Sequence, residues 1–205
     1  VNWDLSSVND TSWMVYNAKA FNQPIGVWDI SNVRTMYAMF LSAESFNRSI
    51  GLWDVSQVRD MRALFANAFN FNQNIVGWNT SRVIDMEGMF SFNSVFDQDI
   101  GAWDVSRVTS MKLMFQSSTS FDQDLSSWNV SSVTDMSDMF QNVALSVENY
   151  SSLLIGWSNL TFVQNGVVFG AGNSQYNPYF DAAHARQQLI NEYGWTITDG
   201  GAVVD

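Results

Sequence analysis

Tryptophan stands at Trp3, Trp28, Trp53, Trp78, Trp103 and Trp128, six times at an interval of 25 residues. An interval of this size marks stacked repeats, each a small unit that must lean on its neighbours to bury its apolar side. Other columns keep the register. Asp4, Asp29, Asp54, Asn79, Asp104 and Asn129 follow the Trp, and Ser6, Ser31, Ser56, Ser81, Ser106 and Ser131 stand two places further on. Val8, Val33, Val58, Val83, Val108 and Val133 come next. Met36, Met61, Met86, Met111 and Met136 then precede Phe40, Phe65, Phe90, Phe115 and Phe140. The first unit departs from the pattern, with Thr11 in place of the Met and Val15 in place of the Phe.

One unit can be read in physical terms. Ile25, Trp28 and Ile30 suit a short strand, with Asp29 on its opposite face. Ser31 falls where a helix N-cap is wanted. Val33, Met36, Met39 and Phe40 follow at offsets 0, 3, 6 and 7, the apolar face of a short helix. Asp60, Asp85 and Asp135 would lie near the N-termini of their own helices, where the dipole favours negative charge. The Phe of "FNQ" at Phe21 and of its equivalents enters the core while the Asn or Asp bonds local backbone in a turn. Strand, helix and return in 25 residues predict an α/β solenoid, a leucine-rich-repeat-like parallel sheet with short helices. Six strands would make a sheet about 29 Å across.

Beyond Phe140 the register dissolves, so residues 1–144 are expected to form the repeat region of about six units and 145–205 a divergent α+β C-terminal cap. In the cap, "LSVENYSSLLIGWS" reads as an amphipathic helix and "NGVVFGAGNSQY" as a strand with Gly-rich turns. "YFDAAHARQQLINEYGW" reads as a helix ending at Gly194, and "WTIT" as a last strand.

A hydrophobic content of 46% supplies a core, and the net charge of −11 opposes binding to nucleic acid and anionic membranes. With no cysteine, disulfides and thiolate metal sites are excluded. No apolar run approaches the roughly 18 residues of a membrane span. The start at Val1, without an initiator Met, leads to the expectation of a piece processed or excised from something longer.

The motif W-D-V-S-x-V-x-x-M-x-x-M-F with F-N-Q-x-I resembles the BspA-like leucine-rich-repeat family of surface proteins, over Val1 to about Phe140. The segment "VVFGAGNSQY … ARQQLINEYGWTITDGG" is similar to the one that often closes such arrays. The resemblance implies an extracellular or cell-surface location, attachment and protein–protein contact, and no catalytic residues.

Several residues are candidates for chemistry. The Asp column could bind a cation, with Asp29 and Asp54 the best adjacent pair, but the interchangeable Asn79 and Asn129 favour hydrogen bonding within each turn. Asp97, Asp99, Asp122 and Asp124 ("FDQDI", "FDQDL") gather acidity on two neighbouring return loops and could hold Ca²⁺ through oxygen ligands; a solvated patch is the plainer reading. Six sequons, at Asn9, Asn47, Asn79, Asn129, Asn149 and Asn159, would accept N-glycans in a eukaryotic secretory route. Arg34, Arg59, Arg62, Arg82, Arg107 and Lys112 could form a basic stripe, or be ordinary exposed positions among the Asp residues. The Met and Trp columns are core. His184 is the single histidine and has no nucleophile context, which excludes a triad or a zinc site. The glycines from Gly166 to Gly172 lack the Lys of a phosphate loop. Phe69 and Phe92 sit in otherwise polar return loops and are candidates for partner contact.

The sequence therefore points to a non-enzymatic interaction or adhesion module for a protein or glycan partner, without a cofactor unless Ca²⁺ serves. The alternative is a structural subunit of a larger surface, fibre or membrane-associated assembly, stacked through an open edge near Trp3.

Overall fold

In the computed structural model, which describes residues 3–179 and 181–204, regular secondary structure is confined to the C-terminal third. Among the described residues it comprises β1 (Asp135–Met136), α1 (Val147–Ser158), β2 (Val168–Gly170), α2 (Asp181–Tyr193) and β3 (Thr196–Thr198). The three strands form one parallel sheet in the order β1-β2-β3, pairing Asp135 with Val168 and Val168 with Thr196. The predicted α/β solenoid with a leucine-rich-repeat-like sheet and short helices is thereby overturned. The chain is a small mixed α/β domain whose 25-residue units are built from turns.

The backbone shows why no helix forms within the units. Ala38 and Ser42 have φ of 53° and 61°, and Ala63, Asn67, Gly88, Phe92, Leu113 and Ser117 repeat this left-handed conformation in later units. A left-handed residue at every fourth position cannot be held in an α-helix. Alternate N–H groups are instead sent to the next unit: Met36, Ala38, Phe40 and Ser42 donate to the carbonyls of Asp60, Arg62, Leu64 and Ala66. Between them, Met39, Leu41 and Ala43 donate to Met36, Ala38 and Phe40 and close tight turns. The predicted strand fails in the same way, because the Trp28 N–H closes a turn on the Ile25 carbonyl at 3.0 Å. Nor is Ser31 a helix cap, since its backbone N–H and its hydroxyl both donate to Asp29 Oδ1, at 3.1 and 2.7 Å.

These bonds between units are accompanied by one parallel bridge at each step, through Asp10, Thr35, Asp60, Asp85, Ser110 and Asp135. Beside it, core side chains stack at the same 25-residue interval. Phe40, Phe65, Phe90, Phe115 and Phe140 lie 5.3–5.7 Å apart, ring over ring. Each also faces a second column, with Phe65 and Phe71 3.9 Å apart, and Phe90 and Phe96 the same. The indole N–H groups of Trp53, Trp78, Trp103 and Trp128 donate to the carbonyls of Ile25, Ile50, Ile75 and Ile100 in the preceding units, at 3.1–3.2 Å. Buried indole and carbonyl are thus satisfied together, so each Trp both fills the core and fixes the register.

The C-terminal region continues this pattern with different elements. Trp157 on α1 donates to the Leu125 carbonyl at 3.1 Å, occupying the next place in the indole series. Gly156 makes that approach feasible, because a Cβ there would lie 2.1 Å from the Ser126 carbonyl oxygen. Ser146 caps α1 by accepting from the Asn149 N–H. The helices α1 and α2 are tied to β3 by a buried network in which Tyr150 donates to Asp199 Oδ2 at 2.7 Å and Arg186 pairs with the same carboxylate at 2.7 Å.

Candidate interaction surface

The turn segment that replaces the helix divides its side chains cleanly. Met36, Met39, Phe40 and Ala43 are fully buried, and their equivalents in later units build the core. Some of the intervening positions are half-buried or exposed and differ from unit to unit. Ser12, Tyr37, Arg62, Glu87, Lys112 and Ser137 form one such column, and Asn17, Ser42, Asn67, Phe92, Ser117 and Asn142 another. The repeat therefore holds one face constant and varies another on the same backbone.

A shallow groove lies on this variable face, lined by Tyr37, Arg62, Ala66, Glu87, Phe92 and Leu113 among others. Arg62 is fixed in it from two sides, stacking over the Tyr37 ring at 4.7 Å and pairing with Asp60 at 2.7 Å. The Asp60 carboxylate holds this guanidinium firmly protonated. Burial pushes the Asp85 carboxyl up, against the opposing pull of the Glu87 N–H and Arg62. Trp13 and Tyr37 extend the aromatic surface edge to face at 4.8 Å.

Phe92 is 45% exposed in the groove and has φ of 59°, where the equivalent residues are Asn or Ser. Asn tolerates this conformation, whereas a bulky side chain there is strained by about 1–2 kcal/mol. Its neighbour Asn93 is fully buried and its Oδ1 has no partner. Position 92 is thus where the fourth unit sets a bulky side chain at a left-handed turn that its equivalents fill with Asn or Ser. Phe69 is 41% exposed but is not among the groove-lining residues. Nothing in the sequence marked Tyr37 or Leu113; their contribution follows from the left-handed turns.

The carboxylates singled out for Ca²⁺ belong to hydrogen-bonded ladders. Asp97 Oδ1 accepts from the Asp122 N–H and Gln123 Nε2, and Asp122 Oδ1 accepts from the Ser146 N–H and Asn149 Nδ2. Asp99 and Asp124 accept from the N–H groups of Gly101 and Ser126 two residues on. Among the described residues, no three His, Cys, Asp or Glu side chains are grouped to hold a metal ion. Of the sequon residues, Asn9, Asn47, Asn79, Asn129 and Asn159 are exposed, whereas the half-buried Asn149 commits its Nδ2 to Asp122.

The Asp column after the Trp is held in tight turns. Asp4 and Asp29 each accept from both the N–H and the hydroxyl of the Ser two residues on. Bonds from these serines hold the carboxyls of Asp4, Asp29, Asp54 and Asp104 below the ordinary value of 3.8. A carboxylate whose folded pKa is depressed contributes stability above its unfolded pKa and loses it as pH falls through the folded one. Thermal stability is accordingly expected to fall as pH is lowered through and beyond 3.8. Replacing the four by Asn, as at Asn79 and Asn129, flattens that fall; a melting series in pH for the two proteins checks it.

Residues 1–91 and residues 49–157 each match the family model described as Mycoplasma protein of unknown function, DUF285. The chain belongs to this family. The two DUF285 matches overlap from residue 49 to residue 91, as expected when a model several units long can be placed on a repeat in more than one register. No curated protein and no solved structure matches the chain. Among the described residues, no helix is long and apolar enough to cross a membrane.

Proposed function

We propose that this chain is a non-enzymatic interaction module of the cell surface or extracellular space, which presents its variable turn face to a protein or glycan partner. The observation that carries the reading is Phe92, an exposed aromatic side chain kept in a groove at a backbone conformation that disfavours it. Strain of this kind persists where the surrounding structure enforces it, and it clusters at binding sites. Tyr37, Arg62 and Trp13 supply the aromatic and guanidinium groups in which contact surfaces are rich. The resemblance of the W-D-V-S-x-V repeat to BspA-like surface proteins supports the location.

Phe92→Asn separates binding from folding. The variant is expected to be more stable by about 1 kcal/mol, through relief of strain. It should lose at least about tenfold in affinity for whichever ligand the wild type captures on arrays of matrix proteins and glycans. Binding unchanged in both Phe92→Asn and Tyr37→Ala sinks the proposal.

A further inference from the structure

We propose that Arg59, Arg82 and Arg107 form a subsite for a single tetrahedral oxyanion, a sulfate ester or phosphate monoester on a small ligand. The inference rests on a pocket that shares no lining residue with the Phe92 groove and stands independently of it.

Its first support is placement. The Ile84 N–H donates to the Arg59 carbonyl and the Thr109 N–H to the Ile84 carbonyl, both at 2.8 Å, so these positions project from successive units. Arg82 and Arg107 precede Ile84 and Thr109 by two residues, across the buried Val83 and Val108. The three arginines and Ile84 line one concave pocket. Ile84 is 38% exposed and offers an apolar wall.

The second support is uncompensated charge. Lys19, Arg62 and Arg186 are ion-paired with Glu44, Asp60 and Asp199. Among the described residues, none of the three pocket arginines has a carboxylate within ion-pair distance; Arg82 donates to the neutral Gln57 side chain. The carboxylates in the neighbouring column are engaged elsewhere, Asp54 with Ser56 and Asp104 with Ser106, and the column is neutral between them at Asn79. Three like charges are therefore held together on a chain of net charge −11 without an internal counter-ion. Guanidinium groups offer paired N–H donors matched to the oxygens of sulfate and phosphate. The surrounding negative charge repels a long polyanion, so a compact anionic group fits better than nucleic acid.

The test is a titration of the wild-type protein followed through the arginine Nε–H resonances, with inorganic sulfate, inorganic phosphate, glucose 6-sulfate and glucose 6-phosphate as separate probes. Sodium chloride at matched ionic strength is the reference. Saturable shifts confined to Arg59, Arg82 and Arg107 are expected. Arg82→Gln and Arg107→Gln should each weaken binding at least about tenfold, the loss of one charge-assisted contact. Arg48→Gln, on a return loop and outside the pocket, should leave it unchanged. Tighter binding of a sugar ester than of the free ion assigns the site to an esterified ligand, and equal binding assigns it to the ion alone. Shifts that follow ionic strength equally in chloride, or that survive Arg107→Gln, overturn the proposal.

Discussion

Replacing Trp103 with Ala should lower unfolding stability by about 3–5 kcal/mol, the range for truncating a buried Trp. Three losses combine at this one site. The ring, 3% exposed, stacks on Trp78 at 6.3 Å and on Phe90 at 6.4 Å, so its removal opens a cavity between two units. The Ile75 carbonyl loses the indole N–H at 3.2 Å and keeps only the Trp78 backbone N–H at 3.1 Å. The Trp78 unit holds no helix or strand of its own that could persist without the contact, and the Trp128 unit holds only the two-residue β1 ahead of α1. Trp103→Phe keeps an aromatic ring and gives up the hydrogen bond, so its cost should be about 1–3 kcal/mol. Urea unfolding followed by tryptophan fluorescence gives both values, and amide exchange locates the damage. Protection should drop on both sides of Trp103, in the units of Trp78 and Trp128. A loss below about 1.5 kcal/mol in Trp103→Ala contradicts a role for the indole series in holding the units together.

Much of this arrangement was legible in the sequence, for reasons that particular residues make plain. The columns of Trp, Val, Met and Phe were readable because stacking demands the same side chain at the same place in every unit. Helices α1 and α2 were readable because twelve or more residues of continuous periodicity, with Ser146 before one and Gly194 after the other, leave little choice. The conformation inside the units was not readable. Offsets of 0, 3, 6 and 7 describe one face of a helix, but consecutive tight turns bring the same residues inward. The decisive positions, Ala38, Ala63 and Leu113, adopt left-handed backbone without the Gly or Asn that would signal it. Phe92 could be named as exposed and aromatic, but its groove could not, because the groove exists only on the turn face. The arginines could be named as a stripe, but the structure separates them: Arg62 is bound to Asp60 beside Tyr37, and Arg59, Arg82 and Arg107 share a pocket elsewhere.

The C-terminal region should fail separately from the units when Asp199 is truncated to Ala, with a loss of about 3–5 kcal/mol. The Asp199 side chain is 3% exposed and accepts from Tyr150 at 2.7 Å, from Arg186 at 2.7 and 3.2 Å, and from the Gly201 N–H at 3.1 Å. Without it, the Arg186 guanidinium, 20% exposed, keeps its charge and has no carboxylate to meet it. The fully buried Tyr150 loses its acceptor at the same moment, in an environment where burial already pushes its phenol pKa up. Because Tyr150 is on α1, Arg186 on α2 and Asp199 just past β3, the damage falls on the packing among these elements. Calorimetry should show an early transition ahead of that of the units, and amide exchange should rise first in α2 and β3. Asp199→Ala combined with Arg186→Leu then decides the cause. An unpaired buried charge is the costly product of the single change, and exchanging both partners for apolar groups removes it, so the double variant should recover most of the loss. If it recovers nothing, the carboxylate is needed for the geometry of Tyr150 and Gly201 rather than for its charge, and Asp199→Asn should then hold the fold where Asp199→Ala does not.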